Sequence, residues 1–165
     1  MRHLPNFAHK GGIHMKNMKK KSRGFTIIEL LIVMAVIAIL VGIAVPSFRA
    51  IQTQGWQAKA AGETKVLKIA LEGYYIKNNA FPTDTPVTKY QADLLAQSPS
   101  MIEANLYDPF GATATTMYAY DLSANGKYYI VYSVGSGGTG AATVSDAGII
   151  SITAGTPVWS SNGRL

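Results

Sequence analysis

The apolar run from Phe25 to Val45 constrains this chain more than any other feature of its sequence. As a helix its 21 residues would extend about 30 Å, since each helical residue rises about 1.5 Å. That length matches the hydrocarbon core of a lipid bilayer. From Leu30 to Val45 the run contains no charged side chain. We therefore predict that residues 25–45 form a membrane-spanning helix.

Glu29 is the one acidic residue within this run, and the segment before Gly24 is basic. An ionised carboxylate in lipid is costly unless it is paired or reaches the interface. Two interpretations of Glu29 stay open. In one it lies near the headgroups at little cost, and in the other it awaits a positively charged partner from another chain.

The segment Arg23–Leu30 resembles the N-terminus of type IV pilins and of type II secretion pseudopilins. The resemblance implies that a prepilin peptidase cuts between Gly24 and Phe25, and that Phe25 then becomes an N-methylated terminus. It also implies that Glu29 is an assembly carboxylate, which pairs with the terminal amine of a neighbouring subunit. Pro46 falls where that family has a proline that kinks the helix, as expected from its missing backbone donor.

The implied fold is α+β and pilin-like, with a long N-terminal helix, membrane-spanning in its first half, packed on a small antiparallel sheet. We divide the chain into a basic leader (1–24), a transmembrane and filament-core helix (25–45), an amphipathic continuation (46–80), and a loop followed by a sheet domain (81–165). Met1, Met15 and Met18 are alternative starts. Starting at Met15 gives a compact basic leader of the kind that this family uses.

The net charge of +6 belongs mostly to the leader. Seven of the 15 basic residues lie at or before Gly24, and all nine acidic residues follow it. Basic residues hold that end of a membrane protein in the cytoplasm. After Gly111 the only basic residues are Lys127 and Arg164, which disfavours binding of nucleic acid.

The composition of the chain disfavours an enzymatic function. The chain has no cysteine, and its three histidines, His3, His9 and His14, all lie in the leader. A chain cut after Gly24 would therefore lack Ser-His-Asp catalysis, thiol catalysis and most kinds of zinc site. We predict that the protein is not an enzyme.

Helical periodicity continues beyond Pro46. Apolar or small residues step by three or four along one stripe: Phe48, Ile51, Gly55, Ala58, Gly62, Val66, Ile69 and Gly73. We expect the second half of this stripe to pack on the chain's own domain, although its small residues would also permit close approach by neighbouring helices. Lys68 and Glu72 lie one turn apart, as an ion pair requires. Asn78-Asn79 and Phe81-Pro82 are predicted to end the helix.

The remainder is predicted to be loop and antiparallel sheet. We expect a short helix at Tyr90–Gln97 and strands at Met117–Asp121, Lys127–Ser133 and Ile149–Thr153, with a hairpin turn at Asn125-Gly126. The tyrosines of the strands are expected to lie half-buried against the helix. Two turn patterns, Phe81–Thr83 and Asp108–Gly111, are similar to those of major pseudopilins.

Gly135–Gly140 matches the G-x-G-x-x-G pattern after a predicted strand. Dinucleotide binding also requires that a helix begin there, so that its N-terminus holds the pyrophosphate. The residues that follow have a turn and strand pattern instead. We therefore reject a nucleotide site and expect a flexible surface loop.

No cofactor is predicted, with calcium as an open alternative. Major pseudopilins bind calcium in the loop after the strand that Tyr129–Val134 matches, and hard cations require several oxygen ligands. In our alignment one aspartate of that loop falls on Gly137 and a later one on Asp146, which leaves Asp146 as the candidate ligand. Asp108 and Asp121 would have to converge with it, but turn capping explains each aspartate equally well.

The resemblance implies a structural subunit, most directly of a type II secretion pseudopilus. Its expected partners are copies of the chain in a helical filament, the prepilin peptidase, inner-membrane assembly machinery, minor pilins and lipid. The expected location is the bacterial inner membrane, crossed once, with the N-terminus cytoplasmic and the C-terminal domain outside. A type IV pilin for adhesion or motility, and a minor pilin that binds DNA or a surface, stay as alternatives.

Overall fold

The computed structural model of this chain describes residues 24–86 and 89–165. The predicted leader and the alternative starts at Met1, Met15 and Met18 lie outside the described residues, apart from Gly24. The chain divides into two compact units, one ending at Gly42 and the other beginning at Ile43.

One long helix, α1, runs from Ile27 to Asn78. The sequence explains its end. Asn79 adopts a positive φ of 55°, a conformation that asparagine tolerates better than most residues, and its N–H donates to the Tyr75 carbonyl at 2.7 Å. Phe81-Pro82 follows as extended chain. The predicted end of the helix is confirmed.

The face of α1 that packs on its own domain is not the predicted stripe. Val66 and Ile69, from the second half of that stripe, are exposed by 50% and 72%. The buried residues form a different row, also spaced by three or four: Ala60, Thr64, Leu67, Ala70 and Leu71. The prediction was wrong because both rows have helical periodicity. Only the position of the sheets decides which row is buried.

The predicted Lys68–Glu72 ion pair is also wrong, because both side chains bind the sheet instead. The Lys68 Nζ donates to the Ser161 carbonyl at 2.7 Å, and the Glu72 carboxylate accepts the Tyr129 hydroxyl at 2.8 Å. Lys68 therefore binds a backbone carbonyl and Glu72 binds a tyrosine hydroxyl, and the two side chains do not pair with each other.

The next helix in the chain is α2 (Lys89–Leu95), close to the predicted helix at 90–97. The strands are β1 (Ala119–Leu122), β2 (Tyr129–Ser133), β3 (Ala141–Val144), β4 (Ile150–Ala154) and β5 (Val158–Ser161). They form two small antiparallel sheets rather than one, with orders β1-β2-β5 and β3-β4. The three predicted strands correspond to β1, β2 and β4. β5 was not predicted.

The main core lies between α1, α2 and the three-stranded sheet. Leu67 and Leu71 of the helix pack there with Tyr90, Tyr118 and Tyr129, all with no exposed surface. The strand tyrosines were expected to be half-buried, as Tyr128 and Tyr132 are. Tyr118, Tyr120 and Tyr129 are more deeply buried, and the buried hydroxyls donate to polar partners. Tyr90, for example, donates to the Tyr118 carbonyl at 3.0 Å. The α+β architecture predicted from the sequence is confirmed.

The two-stranded sheet has a smaller apolar core of its own. Ile130 of β2 packs there with Ala142, Val144 and Ile150. The rest of β4, from Ser151 to Ala154, is exposed. Both sheets therefore meet at β2, which contributes side chains to both cores.

Candidate functional site

At the N-terminus of α1, Glu29 is held by Thr26. The Thr26 N–H and hydroxyl donate to Glu29 Oε2 at 2.9 and 2.8 Å, and the Glu29 N–H donates to Thr26 Oγ1 at 3.3 Å. This reciprocal arrangement is a capping box, in which a threonine at the cap and a glutamate three residues later satisfy the free donors of the first turn. Sequence reasoning missed this role of Thr26, although the T-x-x-E spacing is the pattern that indicates it.

The capping box gives Glu29 two partners within its own chain. Neither partner is charged, and the ion pairs of the described residues do not involve this carboxylate. The proposed cleavage point, between Gly24 and Phe25, lies just before the helix, and Phe25 is 86% exposed. The site thus places a fixed anion one helical turn from an accessible candidate terminus.

Within the first unit, α1 is apolar and uncovered. The helix is long and apolar enough to cross a membrane, and none of its most apolar window is buried. The large side chains from Ile27 to Val41 are between half and four-fifths exposed. An apolar surface of this extent requires lipid or other protein around it.

Within the second unit, the exposed row of α1 forms a second apolar surface. We call the row formed by Phe48, Ile51, Val66 and Ile69 the outer stripe. Gly55 and Gly62 lie on the same row, and a Cβ at either position would meet no other atom within 4 Å. The outer stripe therefore has bulky ends and a shallow middle, a shape that permits close approach by another helix.

Pro46 lies within α1, which is helical on both sides of it. The kink at this position stays a prediction.

The aspartates considered for calcium are each engaged by protein donors. Asp108 is buried and accepts from the Phe110 N–H, the Ser133 hydroxyl and the Val134 N–H at 2.7–2.9 Å. Asp121 accepts from the Val144 N–H at 2.7 Å, and burial raises the pKa of its carboxyl. These bonds hold turns and strand ends together.

Asp146 accepts from the Asn125 N–H at 2.7 Å. Within the described ranges, no group of three or more His, Cys, Asp or Glu side chains is placed to hold a metal ion. Asp108, Asp121 and Asp146 therefore do not form such a group. The calcium alternative stays a prediction.

Gly135–Gly140 is followed by β3, beginning at Ala141, and not by a helix. The strand pattern predicted there is confirmed. Because a strand and not a helix follows this loop, the helix N-terminus that dinucleotide binding requires is not available there. The middle of the loop, from Ser136 to Thr139, is exposed, as expected for a surface loop, whereas Gly135 and Gly140 at its ends are buried. A Cβ on Gly135 or Gly140 would collide with the backbone of Thr156 or Val134, so these glycines permit close backbone packing.

Comparison with known proteins finds similarity to a family model and to several relatives. A model of the prokaryotic N-terminal methylation motif matches residues 19–45. The chain is 41% identical over 71 residues to a fimbrial protein of Pseudomonas aeruginosa, covering 40% of this chain and 46% of that protein.

Two type II secretion system core proteins G are also similar. That of Aeromonas hydrophila is 30% identical over 82 residues, covering 50% of this chain and 54% of the relative. That of Pseudomonas aeruginosa is 24% identical over 143 residues, covering 79% and 95%. The chain thus spans about half the length of the fimbrial protein and of the Aeromonas protein. No solved structure is significantly similar to the chain.

Proposed function

We propose that this chain is a structural subunit of a type IV pilus-like filament that acts in type II protein secretion. The match of residues 19–45 to the N-terminal methylation motif supports this proposal. The observation that carries the proposal is the division of α1 into two faces. One face is buried against the sheets, whereas the outer stripe is exposed although it is also apolar.

Assembly would cover both apolar surfaces of the helix. Full burial of a large aliphatic side chain contributes about 1.5–3 kcal/mol. A few such residues in each subunit, repeated along a filament, contribute a large favourable free energy of assembly. The shallow middle of the outer stripe, at Gly55 and Gly62, lets neighbouring helices approach closely.

Glu29 would supply register. In a single chain Thr26 satisfies the carboxylate with uncharged donors, which lowers the cost of a charge near lipid. In the filament the carboxylate would pair with the Phe25 amine of a neighbour, after a prepilin peptidase has removed the leader and the terminus has been methylated. A subunit out of register would leave both charges unpaired.

The proposed location follows from the same segment. The basic leader keeps the N-terminus in the cytoplasm, α1 crosses the inner membrane once, and the sheet domain lies outside. The proposal assigns the chain no catalytic activity, because a chain beginning at Phe25 contains neither histidine nor cysteine.

A secretion pseudopilus is favoured over a surface pilus by the extent of similarity. The alignment with a core protein G covers 79% of this chain and 95% of that protein, compared with 40% and 46% for the fimbrial protein. The higher identity of the fimbrial protein keeps a type IV pilus as the second candidate. Shear-released surface filaments containing this chain, together with normal protein secretion after its deletion, would favour the pilus.

The test compares two substitutions at Glu29. Glu29→Gln keeps an oxygen that can accept the Thr26 bonds but removes the charge, whereas Glu29→Ala removes both. If charge pairing sets register, neither variant assembles normal filaments, while both still insert into the membrane. Normal filaments from Glu29→Gln would show that the carboxylate only caps the helix.

Intact mass measurement of the wild-type protein from membranes tests processing separately. We expect a chain that begins at methylated Phe25. A chain that retains its leader would remove the neighbouring amine from the mechanism, and the filament proposal would lose its basis for register.

A further inference from the structure

We propose that two hairpin turns of this protein are joined by a clasp between Asn125 and Asp146, and that the clasp lets the domain fold without calcium. The clasp takes the position where the resemblance implies a cation. It concerns folding alone, so it stands or falls independently of the kind of filament that the chain forms.

The clasp consists of two hydrogen bonds between turns that are 21 residues apart. The Asn125 N–H donates to Asp146 Oδ1 at 2.7 Å, and the Asn125 Nδ2 donates to the Asp146 carbonyl at 2.9 Å. Asn125 lies in the turn between β1 and β2, and Asp146 in the turn between β3 and β4. The two bonds therefore connect the three-stranded sheet to the two-stranded sheet at their turns.

Asn125 is itself fixed by its own turn. Its Oδ1 accepts from the Ser123 hydroxyl at 2.8 Å and from the Lys127 N–H at 3.0 Å, and the Ser123 hydroxyl accepts from the Tyr128 N–H at 3.0 Å. With both polar atoms of its amide engaged, Asn125 has one orientation in which all of these bonds form. The clasp is thus preorganised on the Asn125 side.

The Asp146 turn is equally regular. The Gly148 N–H donates to the Ser145 carbonyl at 2.9 Å, and Gly148 adopts a positive φ of 75°. This is a tight β3–β4 hairpin and not a loop opened around an ion. A glycine at position 148 supplies the left-handed conformation that the turn requires.

The chemistry of the donors disfavours calcium here. Calcium takes six to eight oxygen ligands at about 2.3–2.6 Å. Asp146 Oδ1 already accepts an N–H, whose partial positive charge would repel a cation at that distance. The first aspartate position of the aligned loop falls on Gly137, which has no side-chain oxygen. Asp121, on the neighbouring strand, is occupied by the Val144 N–H.

The experiment uses full-length protein in detergent and compares thermal melts in calcium and in chelator. Saturating binding of a ligand to the folded state alone raises the melting temperature, by on the order of 10 °C at a hundredfold excess over the Kd for a domain of this size. The clasp predicts a difference below about 1 °C for the wild type. A calcium-induced rise of several degrees, absent in Asp146→Ala, would overturn the proposal.

Two variants separate the clasp from a charge effect. Asp146→Ala removes the acceptor for the Asn125 N–H and is expected to lower the melting temperature by several degrees, equally in calcium and in chelator. Asp146→Asn keeps an oxygen acceptor and is expected to melt close to the wild type. An unchanged melting temperature in Asp146→Ala would mean that the side-chain bond of the clasp does not stabilise the domain, and the clasp would be rejected.

Discussion

The hydroxyl of Tyr118 donates a hydrogen bond of 2.6 Å to the carboxylate of Glu63, which precedes it by 55 residues. A second bond of the same kind joins Tyr129 to Glu72 at 2.8 Å. The two glutamates lie on α1 and the two tyrosines belong to the sheet side of the core. Charge-assisted bonds therefore fix the helix to the sheet at two points along its length.

Loss of one of these bonds is expected to destabilise the domain moderately. Tyr118→Phe removes the hydroxyl and leaves the ring, so we expect a loss of about 1–2 kcal/mol in the free energy of unfolding. Chemical denaturation measures this loss. Tyr132→Phe, on a half-buried tyrosine outside these two pairs, is the matched control and is expected to change stability by less than about 0.5 kcal/mol.

Alkaline pH is expected to unfold the domain. Burial, as the largest cause, raises the pKa of Tyr90, Tyr118, Tyr120 and Tyr129 well above the usual value, and the adjacent Glu63 and Glu72 carboxylates add to the rise for Tyr118 and Tyr129. A pKa raised in the folded state means that stability is full below the unfolded value of about 10 and falls as pH rises above it.

The measurement is a pH titration that follows circular dichroism and tyrosinate absorbance together. We expect most of the four buried tyrosines to ionise only as the fold is lost, so that the two signals change in one transition. Ionisation of all nine tyrosines near pH 10 with the sheet intact would contradict this account.

The two faces of α1 are expected to respond differently to truncation. Leu67→Ala removes a fully buried side chain and should cost about 2–5 kcal/mol of stability, measured by denaturation. Ile69→Ala, two residues along the helix on the outer stripe, should leave stability within about 0.5 kcal/mol of wild type and reduce filament yield. Equal loss of stability in both variants would refute the assignment of the faces.

Gly135 and Gly126 offer a matched test of backbone packing. Both have a positive φ, of 69° and 68°, but only at Gly135 would a Cβ collide with a neighbouring carbonyl, that of Thr156. Gly126→Ala carries only the conformational cost, about 1 kcal/mol. Gly135→Ala should lose clearly more, at least about 2 kcal/mol by denaturation. A similar loss of stability in both variants would mean that the loop shifts away from the added Cβ without a further loss of stability.

The features that sequence reasoning captured are those set by local chemistry. The long helix, its end at Asn78, the short helix near Tyr90 and the hairpin turn at Asn125-Gly126 each have a local signal. The T-x-x-E spacing at Thr26 is also a local signal, and it indicates a capping box, whereas the prediction for Glu29 considered only a partner from another chain.

The features that it missed depend on contacts between distant segments. Two rows of α1 have helical spacing, and only the position of the sheets decides that Leu67 is buried and Val66 is not. β5 has only four residues, follows Pro157 and ends in Ser160 and Ser161, so it has little strand signal of its own. It becomes a strand because Ile130 to Ser133 present an open edge to it.

The pairing of β5 with β2 also has a consequence for the order in which the chain matures. β2 is the central strand of its sheet, yet β5 comes after every other element in the chain, and Lys68 of α1 reaches the Ser161 carbonyl. A ribosome that has released β1 to β4 has produced a sheet with one side open. The three-stranded sheet can therefore be completed only after Ser161 has been synthesised. A chain that stops before this point would leave the edge of β2 unpaired, and an unpaired edge is prone to aggregation and degradation.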